Sequence, residues 1–300
     1  MHDIIIIGAG TASLTAAIYA CRANKSVLVL EKITYGGQII NTHKIENYPA
    51  APHISGVDFA NQLYNQATEL GAEVEFAEVS AVKKEKSSLV VKTPDETYQA
   101  KAIIIATGSA ERHLGLPNEE ELIGRGISYC ATCDGNFFKN KDVVVNGGGN
   151  TAFWDALYLA DLAKTVTIIH RRDTFRADEA LVDKVKAKKN VKFITSANIA
   201  ELIPEDGKLT KIKLDTGKEI KTDGLFVAIG RTPANDAFKD LVELDEQGYI
   251  KSDETCRTST EGVFVAGDSR NKPLHQLVTA ASDGAIAATA AVEYINQERN

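Results

Sequence analysis

Two closely spaced cysteines are the residues of this sequence that most directly suggest chemistry. Cys130 and Cys133 lie in "SYCATCDGNFF" and are followed at once by Asp134. A Cys-x-x-Cys pair can be half of a zinc site, a structural disulfide or a redox-active dithiol. Zinc needs two further ligands at similar spacing, and no second Cys-x-x-Cys or histidine pair follows, so we expect no metal site.

Asp134 has two interpretations of its own. A partly buried carboxylate beside a dithiol can accept or donate a proton during thiol chemistry. Aspartate before glycine is also a common turn residue. We favour the proton-transfer role for Asp134. A redox-active pair also needs partners with which it exchanges electrons.

The chain opens with a pattern typical of a dinucleotide site. In "DIIIIGAGTASLTAAIYACRANKSVLVLEK" an apolar strand runs into a glycine turn, a helical stretch follows, and a second strand ends at Glu31. Gly8 permits the tight turn, and Gly10 lets the backbone approach a diphosphate at the helix N-terminus. A carboxylate at the position of Glu31 can accept a hydrogen bond from a ribose hydroxyl.

The same unit recurs, without a gap, as "DVVVNGGGNTAFWDALYLADLAKTVTIIHRR". Gly147 and Gly149 correspond to the first two glycines, and His170 takes the place of Glu31. An arginine cluster follows His170, formed by Arg171, Arg172 and Arg176. Arginines suit the 2′-phosphate of NADP(H), although "HRRD" could also be a solvated turn. We therefore expect FAD in the first unit and NADP(H) in the second.

The C-terminal segment indicates how the domains are divided. In "EGVFVAGDSRNKPLHQLVTAASDG" a strand runs into Gly267 and Asp268 ahead of a long alanine-rich helix, and this aspartate could hold a ribityl hydroxyl. We predict an α/β protein of two Rossmann-like, three-layer β/β/α nucleotide-binding domains. Residues 1–112 and 246–300 form a discontinuous FAD domain, and residues 113–245 form the inserted NADPH domain, which carries the cysteine pair.

The bulk composition excludes several classes of protein. Of the 300 residues, 44% are hydrophobic and 25% are charged, and the net charge is −7. This acidic balance argues against a nucleic-acid partner. No apolar run approaches the roughly 18 residues of a membrane span. A strand begins within a few residues of Met1, which leaves no room for a signal peptide, so we expect a cytoplasmic protein.

Taken in order, several motifs resemble one family over essentially the whole chain. They are "GAGTAS", "GGQI", "IENYP", "ATGS", "CATCDG", "GGGNTA", "HRRDTFRA" and "GVFVAGD". The resemblance is to the low-molecular-weight, bacterial-type thioredoxin reductases, a class II pyridine nucleotide-disulfide oxidoreductase family. It implies a homodimeric flavoprotein that passes electrons from NADPH to FAD, to a Cys130–Cys133 disulfide and then to thioredoxin. It also implies that Cys133 faces the flavin, that Cys130 attacks thioredoxin, and that Asp134 is the general acid and base.

The resemblance implies contacts for both cofactors. Those expected for FAD are Gly8, Gly10, Ser13, Glu31, Lys32, Gly36, Gly37, Gln38, Asn47, Gly108, Asp268, His275, Gln276 and Leu277. Those expected for NADPH are Gly147, Gly149, Asn150, Thr151, His170, Arg171, Arg172 and Arg176.

Several positions depart from the family pattern. Ser13 stands where a third glycine is usual, so its hydroxymethyl group must fit against a strand. His275 replaces an arginine, and Thr11, Asn146, Phe153 and Trp154 also differ. The alternative functions are a flavin disulfide reductase with another donor, such as ferredoxin, or another protein acceptor, and a flavin-binding redox sensor. The intact "HRRDTFRA" argues against a changed donor.

Overall fold

A computed structural model describes residues 1–42, 44–85 and 88–297 of the chain. The chain forms two compact units. The first unit comprises Met1–Ala110 and Thr232–Asn300, and the second unit, Glu111–Arg231, is inserted between these two parts. Within the described residues, no helix is long and apolar enough to cross a membrane.

In both units, strands that alternate with helices are followed by a run of consecutive strands. In chain order the elements are β1 His2–Ile7, α1 Thr11–Arg22, β2 Val27–Glu31, α2 Gly56–Glu69, β3 Glu73–Phe76, β4 Ala81–Lys84, β5 Leu89–Lys92, β6 Thr97–Ile105, β7 Ser109–Glu111, α3 Glu119–Leu122, β8 Ile127–Ser128, α4 Ala131–Asp134, β9 Asp142–Asn146, α5 Asn150–Ala160, β10 Thr165–Ile169, α6 Glu179–Lys186, β11 Val191–Ile194, β12 Ile199–Glu205, β13 Lys208–Leu214, β14 Glu219–Lys221, β15 Gly224–Val227, β16 Arg231–Pro233, β17 Val263–Val265 and α7 Leu277–Gln297. Short 3₁₀ turns cover Gly37–Asn41, Gly135–Phe138, Asp236–Phe238 and Gly267–Ser269.

The first unit is built around a parallel sheet in the order β3-β2-β1-β6. The end of β6 pairs in parallel with β17, and its beginning pairs antiparallel with β5, which in turn pairs with β4. The isoleucine run of β1 is fully buried because both faces of this sheet are covered. Ile4 and Ile6 pack with α1 and α7, whereas Ile5 and Ile7 pack toward the antiparallel strands. The helices, the parallel sheet and the antiparallel strands form three layers, as predicted.

The second unit repeats this arrangement. Its parallel sheet has the order β11-β10-β9-β15-β8, and a three-stranded antiparallel sheet has the order β12-β13-β14. Val143 and Val145 pack with α5 and α6, and Val144, on the opposite face, packs with residues of the antiparallel sheet. The predicted fold class, α/β with two Rossmann-like units, is therefore confirmed, and each glycine motif forms the expected strand–turn–helix.

The return of the chain to the first unit differs from the predicted boundary. The two crossings, β7 and β16, pair with each other, and the first unit resumes at Thr232 rather than at residue 246. Phe238 and Val242 are buried in the same apolar cluster as Ile5 and Val265. The sequence marks a crossing near "GRTPAND", but it does not show in which core the residues after it are buried.

Candidate functional site

The first glycine turn is tight because β1 ends directly beside the end of β6. Gly8 has φ 101°, and a Cβ built on it would lie 2.5 Å from the carbonyl oxygen of Ala106. Its N–H donates to the carbonyl of Leu30 at 2.8 Å. Gly8 is therefore required both by its left-handed backbone and by the lack of space.

Gly10 has open space in front of it instead. It precedes the first residue of α1, no side chain caps that helix, and a Cβ on it would have no atom within 4 Å. The loop of Gly36 and Gly37 lies against it, with the N–H of Gly36 donating to the carbonyl of Ala9 at 2.7 Å. Unsatisfied N–H groups and a positive helix end beside free space fit a diphosphate, so the residues present fit a dinucleotide.

Glu31 is held at the end of β2 by two backbone donors. One carboxylate oxygen accepts from the N–H of Ala9 at 2.8 Å, and the other accepts from the N–H of Ile33 at 3.0 Å. A carboxylate oxygen can accept more than one hydrogen bond. Glu31 can therefore keep both contacts and still accept from ribose hydroxyls.

Ser13, which stands where the family usually has a glycine, is accommodated without distortion of α1. The side chain is fully buried, and its hydroxyl donates to the carbonyl of Ala106 at 3.3 Å. The added hydroxymethyl group thus satisfies its own polarity at the end of β6. Thr11 is buried in the same first turn of α1.

The turn that carries Asp268 is fixed by buried polar groups. Gly267, with φ 70°, donates its N–H to Asp283 of α7 at 3.0 Å. The hydroxyl of Ser269 accepts from the N–H of Gly108 at 2.7 Å. Asn235 donates to the carbonyl of Ser269 at 2.8 Å. These contacts bring the predicted residues Gly108 and Asp268 to one edge of the sheet, where β6 and β17 end.

Of the remaining residues predicted for the first unit, some contact each other or a neighbouring loop and others do not. Asn47 donates to Gln276 at 3.0 Å, although they lie far apart in sequence, and Gln38 donates to the carbonyl of Ser109 at 2.7 Å. His275 packs against the ring of Tyr249 with centroids 5.5 Å apart. Two positions show no such convergence: Leu277 begins α7 and Lys32 has an exposed side chain.

In the second glycine turn, as in the first, one glycine lacks space for a side chain and the other faces open space. A Cβ on Gly147 would collide with the carbonyl of Ala228, whereas a Cβ on Gly149 would have no atom within 4 Å. Gly149 precedes α5, whose first residue, Asn150, exchanges hydrogen bonds with Asp178. Thr151 is exposed in the first turn. The space in front of α5 therefore also fits a diphosphate.

His170 supports this loop rather than extending from it. The ring is buried, and a Cβ on Gly148 would collide with it. Burial lowers the pKa of His170, and the nearby positive charge of Arg176 lowers it further. The imidazole is thus favoured in its neutral form and is poorly suited to act as the cation for a phosphate.

The arginine cluster is positioned by the same loop. The N–H of Arg176 donates to the carbonyl of Gly148 at 2.8 Å. The side chains of Arg171, Arg172 and Arg176 are exposed beyond the end of β10. Exposed guanidinium groups at the place of the acidic residue of the first unit can bind a phosphate bidentately.

The departures at Phe153 and Trp154 have different surroundings. Phe153 is fully buried on α5 and packs edge-on against Phe175, with centroids 4.8 Å apart. Trp154 is 56% exposed. Asn146, at the end of β9, accepts from the N–H of Ala228 through its backbone carbonyl.

Cys130 and Cys133 are joined in a disulfide, with their Cα atoms 5.3 Å apart. Cys130 precedes α4, Asp134 ends it, and both cysteines are half-buried. The hydroxyl of Ser128 donates to the carboxylate of Asp134 at 2.7 Å and accepts from the N–H of Cys130 at 3.1 Å. A single serine thus connects the carboxylate to the backbone of the first cysteine.

Three residues with clear positional roles were not predicted. They are Ser128, Asn235 and Asp283. Only Ser128 had a local signal, because it directly precedes the "YCATCD" segment. Within residues 1–42, 44–85 and 88–297, no group of three or more His, Cys, Asp and Glu side chains could hold a metal ion.

Comparison with known proteins identifies the family. A family model described as pyridine nucleotide-disulphide oxidoreductase matches residues 2–285. The chain is 42% identical to a thioredoxin reductase of Bacillus subtilis, over 99% of this chain and 96% of that protein. It is 43% identical to one of Listeria innocua, over 99% and 95%. The crystal structure of thioredoxin reductase from Streptococcus pyogenes matches with a TM-score of 0.92 and 41% identity, over 99% of both chains. This chain therefore belongs to the pyridine nucleotide-disulphide oxidoreductase family.

Proposed function

We propose that this protein is a flavoprotein thioredoxin reductase, in which electrons pass from NADPH to FAD, to the Cys130–Cys133 disulfide and then to thioredoxin. The observation that carries the proposal is the disulfide beside Asp134, in one chain with two glycine turns that each open in front of a helix N-terminus. Relatives named thioredoxin reductase that match over their full length support the same activity.

The family uses a flavin and a nicotinamide cofactor, and we assign FAD to the first unit. Gly10 and the start of α1 would bind the diphosphate, Glu31 the ribose, and Asp268 the ribityl chain. The other contacts that we propose for FAD are Gly8, Ser13, Lys32, Gly36, Gly37, Gln38, Asn47, Gly108, His275, Gln276 and Leu277. The bound flavin supplies a carrier that takes a hydride equivalent and gives two electrons to a disulfide.

We assign NADPH to the second unit. Gly149, Asn150 and Thr151 would contact the diphosphate at the start of α5. Arg171, Arg172 and Arg176 would contact the 2′-phosphate, since they are the exposed cations after β10. Gly147 and His170 would shape the loop, because the former closes it on β15 and the latter packs under Gly148.

Two electrons, which NADPH would supply through the flavin assigned to the first unit, and one proton would open the disulfide and leave one thiol and one thiolate at Cys130 and Cys133. The thiolate of Cys130 attacks one sulfur of the thioredoxin disulfide, which forms a mixed disulfide and releases one thioredoxin thiolate. The thiolate of Cys133 then attacks the Cys130 sulfur, re-forms the Cys130–Cys133 disulfide and releases reduced thioredoxin. Asp134, held by Ser128, would donate and accept the protons.

We further propose a homodimer that acts in the cytoplasm without a metal, as the family resemblance implies. Donor and acceptor are tested together by steady-state reduction of a thioredoxin with either NADPH or NADH, followed by the loss of reduced-nicotinamide absorbance. We expect repeated turnovers with NADPH and much slower turnover with NADH. A single round of reduction that then stops would indicate a redox sensor, and no turnover with NADPH would contradict the assigned donor.

A further inference from the structure

Glu119 is a buried carboxylate in the second unit that the proposed electron path does not use. It is 3% exposed. One carboxylate oxygen accepts from the N–H of Leu114 at 2.8 Å and from the hydroxyl of Tyr129 at 2.7 Å. The other oxygen accepts from the N–H of Gly115 at 2.8 Å. Three donors thus satisfy a charge that would be costly to bury alone.

Tyr129 links this carboxylate to the redox segment. It directly precedes Cys130, and its ring packs against His113 with centroids 5.1 Å apart. Burial raises the pKa of the Tyr129 phenol, and the hydrogen bond to Glu119 raises it further. The phenol therefore remains protonated at neutral pH and can always donate to the carboxylate.

Ser128 and Tyr129 hold the segment before Cys130 from two directions. The hydroxyl of Ser128 accepts from the N–H of Cys130 and donates to Asp134. The hydroxyl of Tyr129 anchors its own side chain on Glu119, which in turn is fixed to the backbone of Leu114 and Gly115. Cys130 therefore follows two consecutive residues whose side chains are both committed to hydrogen bonds.

The hydrogen bond between Tyr129 and Glu119 matters most for the position of Cys130 once the disulfide has opened. In the oxidised protein, the covalent bond to Cys133 restrains Cys130. In the reduced protein that restraint is lost, and the position of the Cys130 sulfur depends on the backbone that precedes it. A thiolate must approach a disulfide in a defined direction, so loss of positioning lowers the rate of attack.

We propose that Glu119 and Tyr129 are a positioning pair that fixes the reduced Cys130 for attack on the disulfide of its protein substrate. This inference rests on the proposed function, because it requires Cys130 to be the exchange thiol. Neither residue contacts a reacting atom; Glu119 acts through Tyr129, and Tyr129 acts through the backbone of Cys130.

The test is Tyr129→Phe in the holoenzyme, because this change removes one hydroxyl and keeps the ring against His113. We expect kcat/KM for thioredoxin to fall about tenfold, the effect of losing one hydrogen bond to a charged group. The alkylation rate of Cys130 in the reduced protein should change as well, while flavin reduction by NADPH stays within about twofold of the wild type. The matched control is Tyr98→Phe, since Tyr98 donates to Glu75 at 2.7 Å in the first unit.

Glu119→Gln provides the second arm of the test. An amide cannot accept from all three donors, so the loop of Leu114 and Gly115 should loosen together with Tyr129. If the two residues act as one pair, the double variant should be no slower with thioredoxin than the slower single variant. Independent, additive losses would overturn the pairing.

Two other results would overturn the inference. One is Tyr129→Phe with unchanged thioredoxin turnover and unchanged Cys130 alkylation. The other is an equal loss in flavin reduction and in thiol exchange, which would show general destabilisation. Failure of the underlying function is seen separately, in the wild type, as an absence of NADPH-driven turnover with thioredoxin.

Discussion

The guanidinium of Arg270 forms a two-point ion pair with the carboxylate of Asp283 in the interior of the first unit. The distances are 3.0 Å from Nε to Oδ2 and 3.2 Å from Nη2 to Oδ1, and the two side chains are 3% and 4% exposed. Lys272 donates to the same carboxylate at 2.7 Å. The N–H of Gly267 completes the set at 3.0 Å. The ion pair therefore holds the turn that carries Asp268 against helix α7, through the N–H of Gly267.

Asp283→Asn should destabilise the protein strongly. It would remove the buried counter-charge of Arg270 and Lys272 and leave Arg270 only the exposed carboxylate of Glu254, at 3.3 Å. Breaking a buried ion pair in this way costs about 3–5 kcal/mol. The free energy of unfolding of the apoprotein, measured in urea, tests this expectation. The exposed Asp253 lies in the same region of the chain and provides the control variant Asp253→Asn. An equal loss in both variants would contradict the role of the ion pair.

Asp155 should make stability depend on pH in the opposite sense to an ordinary carboxylate. Burial raises its pKa from 3.8 to about 7. A carboxyl group with a raised pKa contributes fully to stability below its unfolded value and loses that contribution as the pH rises through its folded value. Asp155→Asn should therefore be more stable than the wild type above pH 7 and indistinguishable from it near pH 3.8. Unfolding free energies that stay parallel across this range would contradict the shift.

Gly149→Ala should separate cofactor binding from folding. A Cβ at this position meets no protein atom within 4 Å, so the thermal stability of the apoprotein should be nearly unchanged. The same methyl group would occupy the space assigned to the diphosphate, so the Kd for NADPH should rise at least about tenfold. Gly147→Ala is the contrasting variant, because its Cβ would collide with Ala228. Unchanged NADPH affinity in Gly149→Ala would place the diphosphate elsewhere.

The arginine cluster should set the choice between NADPH and NADH. Replacing Arg171 and Arg172 by alanine removes charge-assisted hydrogen bonds to the 2′-phosphate, so kcat/KM for NADPH should fall about tenfold to a hundredfold. The value for NADH should change little. Arg22→Ala, at an exposed position of the first unit, is the control. An equal loss of kcat/KM with both nucleotides would show that the cluster does not bind the 2′-phosphate.

Local motifs explain why much of the fold and of the site could be predicted. Gly8 and Gly10 lie in one strand–turn–helix unit, so their spacing predicts the turn, although the carbonyl that excludes a Cβ at Gly8 belongs to the distant Ala106. The isoleucines of β1 indicate a doubly covered parallel strand for the same reason. The disulfide between Cys130 and Cys133 also joins residues of a single turn.

Contacts between residues far apart in sequence could not be predicted, because no local sequence pattern indicates them. Asp283 reaches Arg270 only after α7 has packed against the sheet, and Asn235 meets Ser269 only when two loops converge. The boundary predicted at residue 245 differed for the same reason, since the burial of Phe238 decides it. His170 was predicted as a cofactor contact, which stays a prediction; its packing beneath Gly148 had no signal in the sequence.

The variant Cys130→Ser is the most direct test of whether electrons leave the flavin through Cys130 and Cys133. The variant should be titrated anaerobically with NADPH, while the visible flavin band is followed, and then assayed for repeated reduction of thioredoxin. We expect the flavin to be bleached as in the wild type and thioredoxin reduction to be abolished. Sustained turnover of thioredoxin by Cys130→Ser would contradict the assigned path.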